Sequence, residues 1–407
     1  ALRGRHLRNT QEDRTGLVRA AEHFENAVEK DPGYALAWAG LAEVYHLRAY
    51  EYAVSEPRSE LDQKARDAVD RALELDDGLA EAHVSKGLLL AYHPPYDDDA
   101  AEKELRRAIE LDPRLANAHR ELGLLLLRKR GRVQEGRDEL IAAERLEPFW
   151  GLVKTQLIEA HLESADLVAA AEPARDLWEL VGFARFENFI LSWVRGAALQ
   201  DVGAVQQFIH EMEMVNDDWP YRVRWAALLL GLDGRSDEAA RAADRALRMD
   251  PDEERSHAAA GAVALFAGDY RAASRHLDRA YDLAPDPVIW NTIFYSPLYL
   301  DHATLLGCAL LRTGETDRAL RLLEETEQYY ADRIAHGDTS IRARVGTAAL
   351  HALRGDKEGA YEWLQEAVNR GFYKYAELER HPCFESLRGE ERFQAMMDIA
   401  RARVEQA

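Results

Sequence analysis

Residues able to do chemistry are spread thinly along this chain, so their spacing decides what they can do. His210-Glu211 opens like the HExxH pattern, in which two histidines one helical turn apart bind zinc. The fifth position is Met214, so the second ligand is missing and no metal is expected. Asp97-Asp98-Asp99, after Pro94-Pro95, has the carboxylate density of a calcium loop. The more economical reading is a helix start, where acidic side chains cap free N–H groups and meet the positive end of the dipole. Cys308 and Cys383 are far apart and in neither a CxxC nor a zinc spacing, which suits two free thiols in a reducing, cytoplasmic compartment. No GxGxxG, GxxxxGK or GxSxG occurs. The expectation is therefore no catalytic residue and no cofactor.

Composition narrows the partners. In 407 residues, 52 Lys and Arg stand against 73 Asp and Glu, a net charge of −21. Such a chain repels phosphate backbones and anionic lipid, so neither nucleic acid nor a membrane surface is an expected partner. No apolar run approaches the roughly 18 residues of a membrane span, and no signal peptide is evident. The opening at Ala1 without Met fits a processed chain or a piece of a longer one. Ala, Leu, Glu and Arg dominate and β-branched residues are scarce between breakers, which predicts an all-α fold.

The stretch Ala20 to Tyr45 shows how those helices pair. Ala20, Phe24 and Ala27 recur at helical spacing, Asp31-Pro32 breaks the helix, and Trp38, Leu41, Ala42 and Tyr45 mark a second one. This order resembles the tetratricopeptide repeat (TPR) across its most diagnostic join. The resemblance implies a right-handed α-α superhelix of roughly nine or ten helix pairs along residues 1–407, closed by a C-terminal capping helix. A degenerate first repeat fills 1–33. Well-matched repeats fill 34–148, with an insert near 46–58 and a capping box of Ser59 and Asp62 at the helix after it. Pro113 and Pro148 are 35 residues apart, one repeat. Matches weaken over 149–250, although LVKTQLIEAHL, EPARDLWELV, NFILSWVRGAAL, AVQQFIHEMEMV, RVRWAALLLG and SDEAARAADRAL still have helical patterns. Repeats resume over 251–371, with a Pro- and aromatic-rich insert near 285–297, and 372–407 forms the cap. His83, His119 and His257 stand at the Trp place and are expected to pack rather than react. Trp38, Tyr45, Trp193, Trp225 and Trp363 are expected in the core.

In TPR proteins the first helix of each pair faces a concave groove. The inward residues here would be Leu36, Ala39, Glu43 and His46, then Glu81, Val84 and Leu88, then Asn117, Arg120 and Leu124. Arg255, Ala258 and Ala262 follow from the late repeat. Ala39 and Glu43 stand where relatives that clamp a terminal carboxylate would want Lys and Asn. The set is mixed and rather apolar, which suits an amphipathic helix or an extended peptide. The alternative is a groove that packs the chain's own inserts, such as Tyr50–Glu56 or Pro285–Pro297.

Both ends carry a narrower resemblance. LVRAAEHFENAVEKDPGYALAWAGLAEVY, LAEAHVSKGLLLAY and the tail GDKEGAYEWLQEAVNRGFYKYAELERHPCFESLRGEERFQAMM resemble the repeat-bearing C-terminal halves of bacterial signalling proteins. In those, a kinase, cyclase, winged-helix or TolB-like domain comes first and would carry the chemistry. The expected function is a non-enzymatic module binding a protein or peptide. Alternatives are a self-associating scaffold, as a homodimer, and an enzyme with its site hidden in 149–250.

Overall fold

The computed structural model describes residues 14–50, 58–93, 96–164, 166, 169–170, 172–173, 176, 220–249, 251–284 and 301–406. Among them every regular element is helical. The first eight helices are α1 Arg14–Lys30, α2 Ala35–Tyr50, α3 Arg58–Leu75, α4 Ala80–Tyr92, α5 Asp98–Leu111, α6 Ala116–Leu124, α7 Val133–Leu146 and α8 Gly151–Glu163. A π turn, Leu125–Lys129, prolongs α6. Then come α9 Pro220–Leu232, α10 Ser236–Met249, α11 Glu254–Phe266, α12 Tyr270–Leu283, α13 His302–Thr313, α14 Thr316–Ala335, α15 Ile341–Leu353, α16 Lys357–Asn369, α17 Tyr375–Arg380 and α18 Glu391–Gln406.

The chain packs as two compact units. One is Ala1–Leu127 with Glu135–Val153; the other is Arg128–Gln134 with Lys154–Ala407. Within each, local rules make the pairs. At the turns, the Asp31, Asp76 and Asp112 carboxylates accept from the backbone N–H of Gly33, Gly78 and Arg114 at 3.0, 3.0 and 2.9 Å. Asp76-Asp77-Gly78 thus closes the same turn as the two Asp-Pro stops. Helix starts are capped by side chains: Asp97 accepts from the Ala100 N–H at 2.9 Å and Asp269 from Ala272 at 3.0 Å. The acidic run at 97–99 is therefore a helix start. At α3 the capping reading gives way, because the helix begins at Arg58 and Asp62 turns to the buried ring of His93, 2.5 Å from its Nδ1.

Helices within a pair approach through glycine. A Cβ on Gly87 would lie 2.7 Å from Leu105, on Gly261 2.5 Å from Leu277, and on Gly307 2.4 Å from Leu323. At Gly123 the obstacles are the Gly136 carbonyl oxygen and Leu140, both at 2.9 Å. Small residues on the first helix and a Leu on the second therefore interlock, with Ala101, Ala108, Ala273 and Ala280 fully buried alongside. In α18, Phe393, Met396, Met397 and Ala400 are buried, while Arg392 and Arg401 pair outward with Glu358 and Glu379 at 2.8 and 2.7 Å.

LVKTQLIEAHL, RVRWAALLLG and SDEAARAADRAL fall in α8, α9 and α10. NFILSWVRGAAL, AVQQFIHEMEMV, Trp193, the His210–Met214 stretch, the inserts at 51–57 and 285–297, and most of EPARDLWELV lie outside the described residues.

Candidate functional site

The aromatic place of each repeat does more than fill space. Trp38 Nε1 donates to the Pro32 carbonyl oxygen at 3.0 Å. The Nε2 of His83, His119 and His257 reach the carbonyls of Asp77, Pro113 and Pro251 at 3.0, 3.2 and 3.0 Å. Each bond spans six residues, so a clasp ties the first helix to the turn that precedes it. Trp38 is half-buried, packed against the core with its indole reaching that turn. The other ring nitrogen faces the second helix: His83 Nδ1 lies 2.6 Å from Glu104 and His119 Nδ1 2.7 Å from Glu139. Burial opposes ionisation of Glu104, but hydrogen bonds from Lys86 and His83 hold its carboxyl below the usual value.

In the first unit a cavity of about 120 Å³ opens along the beginnings of successive first helices. Leu36, Gly40 and Glu43 of α2 line it, with Glu81 and Val84 of α4 and Asn117 of α6. Phe24, Leu115, Glu147 and Trp150 complete the wall. Gly40 is required there, since a Cβ would lie 2.3 Å from the Phe24 ring. Asn117 Nδ2 donates to Glu43 Oε1 at 3.2 Å, joining α6 to α2 across 74 residues. Arg120 lies over the Trp150 ring at 5.1 Å, donates to Asn117 Oδ1 at 3.3 Å, and pairs with Glu121.

Of the residues expected to face a groove, Leu36, Glu43, Glu81, Val84 and Asn117 meet at this cavity and Arg120 borders it. The others sit elsewhere. Ala39 is buried, its carbonyl accepting from Ser85 Oγ at 3.1 Å. His46 is buried with Nδ1 2.7 Å from His93 Nε2, in a line that ends on Asp62. Leu88 and Leu124 are only 3% and 4% exposed. Leu36, Glu81 and Asn117 each lie on the first turn of their helix; Glu43, Leu88 and Leu124 share a register two turns further along, and of these Glu43 reaches the cavity while the two leucines lie inside the packing. Arg255, Ala258 and Ala262 are buried in the second unit, Arg255 beside Glu254 at 3.3 Å.

Glu147 and Trp150 were not singled out by sequence, although the register contains them. Glu147-Pro148 stands where Asp31-Pro32 and Asp112-Pro113 stand, and Trp150 precedes its helix as Tyr34, Leu79 and Leu115 precede theirs.

The second unit's first helices carry charge inward. Arg128 grips the fully buried Glu159 by two bonds of 3.1 and 2.7 Å. Arg342 meets Glu163 at 3.4 Å, and Asp338 serves Arg333 at 2.6 Å and Arg344 at 3.7 Å. Burial lowers the Lys374 ammonium to about 8, against the pull of Glu377. Burial and the neighbouring Cys308 push the Cys383 thiol up, and neither cysteine is in a disulfide. No group of three or more His, Cys, Asp or Glu among the described residues is arranged to hold a metal ion. No helix among them is long and apolar enough to cross a membrane.

Residues 99–149, which run from α5 to the rim of the cavity, match the tetratricopeptide repeat family. The fold is of the tetratricopeptide-repeat type. A chain of the Cut9–Hcn1 heterotetramer of the APC/C shares it, with a TM-score of 0.50 and 16% identity over 72% of this chain and 52% of that one. This chain therefore spans about half the length of that relative. A monomeric mutant of IFIT1 with Gppp-AAAA is similar over 87% of each chain, at a TM-score of 0.48 and 12% identity. YrrB, described as a TPR protein with an unusual peptide-binding site, matches 54% of this chain and 93% of its own, at a TM-score of 0.26 and 20% identity. A search of curated proteins finds no match. The TPR fold is in general a protein-interaction scaffold rather than a catalytic one.

Proposed function

We propose that this chain is a non-enzymatic interaction module whose first unit holds an extended segment of a partner protein along the beginnings of its first helices. The observation that carries this reading is the cavity itself, built from side chains of successive repeats, as a surface shared among repeats must be. Phe149 adds to it: this large apolar side chain is 82% exposed and adjoins Trp150 of the cavity wall in sequence. The resemblance of both ends to bacterial signalling proteins supports a finer role, as the interaction half of a cytoplasmic regulator.

Panning a phage-displayed peptide library on the chain tests the reading. Enrichment of a peptide family that binds wild type and not Leu36→Asp, with the variant's circular dichroism unchanged, is expected. Peptides that bind both equally would overturn it. Leu88→Asp and Leu124→Asp do not serve here, because burying an unpaired carboxylate in the core breaks the fold first. A dimer abolished by Phe149→Ser would favour self-association through the same surface.

A further inference from the structure

We propose that His257 and His276 form a site for a divalent transition-metal ion, of the zinc, nickel and copper kind that imidazole suits, between α11 and α12 of the second unit. Equivalent places along the chain show what is different there. His83, His119 and His257 each stand four residues before the glycine of their helix pair, at Gly87, Gly123 and Gly261. On the second helix, the residue just before the interlocking leucine is Glu104, Glu139 and His276 in turn. In the first two pairs the ring therefore meets a carboxylate. In the third it meets another ring, Nδ1 to Nδ1 at 3.3 Å.

The clasp decides where the protons are. A carbonyl oxygen only accepts, so His257 Nε2, 3.0 Å from the Pro251 carbonyl, carries the hydrogen of the neutral ring. Its Nδ1 is left with a lone pair directed at His276. A carbonyl that fixes tautomer and orientation from the far nitrogen is the usual support of a metal-ligating histidine. Burial, then His257 and Arg275, hold the His276 ring below the usual imidazole value against the pull of Asp244, so it too can offer a lone pair near neutral pH. Spacing agrees. The 3.3 Å gap is longer than an ordinary hydrogen bond, whereas two nitrogens on a tetrahedral zinc lie about 3.3 Å apart. The rings meet nearly head-on, with centroids 5.6 Å apart, so a modest swing of each turns both nitrogens toward one ion. Both histidines are partly exposed, and water completes the coordination of what is an open site with two protein ligands.

The test titrates the full chain, free of any tag and stripped with chelator, with zinc, nickel and copper chloride in separate calorimetric runs. His257→Gln and His276→Gln are titrated alongside, with circular dichroism to verify the fold. Expected is about one ion per chain, bound at least about tenfold more weakly by either variant. His276 takes no part in the clasp, so its variant reads the ligand and not the turn. His276→Glu rebuilds the ring–carboxylate pair of the earlier repeats and serves as the folded control. Electron paramagnetic resonance of the copper-loaded chain should show two coordinated imidazoles in wild type and one in His276→Glu. Binding unchanged in both glutamine variants, or weakened in only one of them, would overturn the proposal. So would the absence of binding at millimolar metal, or a copper spectrum that His276→Glu leaves unaltered.

Discussion

The two units build their helix pairs alike and treat their first helices oppositely. In the first unit, Leu36 and Val84 face a small cavity with carboxylates at its edge. In the second, the corresponding helices bring Glu159, Glu163, Arg342 and Arg344 inside, where they find charged partners, Arg344 on the loop at Asp338. The pair itself needs only glycine against leucine, a capped start and an Asp at the turn. Because those requirements use other faces of the helix, the first-helix face is left to vary. One unit spends that freedom on an open space and the other on internal ion pairs.

The largest effect should come from taking one partner out of the second unit's network. Asp338→Ala leaves Arg333 and Arg344 without the carboxylate both use, and should cost about 3–5 kcal/mol by urea denaturation. Amide exchange should show the loss in the second unit and spare α2 to α6. Equal loosening of both units would break the distinction.

His381 gives the second unit an acid sensitivity. Burial, then nearby Arg388, lowers its imidazole from 6.5 to about 3. Its Nδ1 accepts from the Cys383 N–H at 3.2 Å, so it is held neutral. The unfolded ring takes a proton below pH 6.5 and the folded one resists until about 3. Stability present above pH 6.5 should therefore fall away as pH drops toward 3, and His381→Asn should flatten that slope in urea midpoints measured from pH 7 to 4. An unchanged slope would remove His381 from the account.

In the first unit the sensitive point is packing. Gly123→Leu should cost about 1–3 kcal/mol, since the Gly136 carbonyl cannot retreat as a side chain would. A neutral result in thermal melts would mean that α6 and α7 pack more loosely than described. Smallest of all should be Trp38→His, which keeps the clasp seen at His83 and His119 and should cost no more than about 1 kcal/mol. Trp38→Ala, which removes clasp and ring together, should cost visibly more in the same assay.

What could be read from sequence follows from distance along the chain. Turns, caps and glycine-leucine contacts lie within one repeat, so Asp97, Gly87 and Leu105 announce themselves by spacing. The cavity was half legible. Leu36, Glu81 and Asn117 share a register, but that register alone does not say where along a helix the packing opens, so Leu88 and Leu124 were read with them. Trp150 escaped because repeat matching weakens after Pro148, and Glu147 because it sits at the turn before that proline while only first-helix residues were taken for the groove, although both keep step with earlier repeats. The second unit's ion pairs had no local signal: Glu163 and Arg342 are 179 residues apart. Each is one charged residue on a helix among many.

The six-residue clasp bears on how such a chain folds. Ring and carbonyl are so near in sequence that closing the loop between them costs little entropy and waits for no distant contact. Folding of either unit should therefore be able to nucleate at any clasped turn and spread to its neighbours. Substituting one clasp should then slow folding less than the number of pairs it supports would suggest.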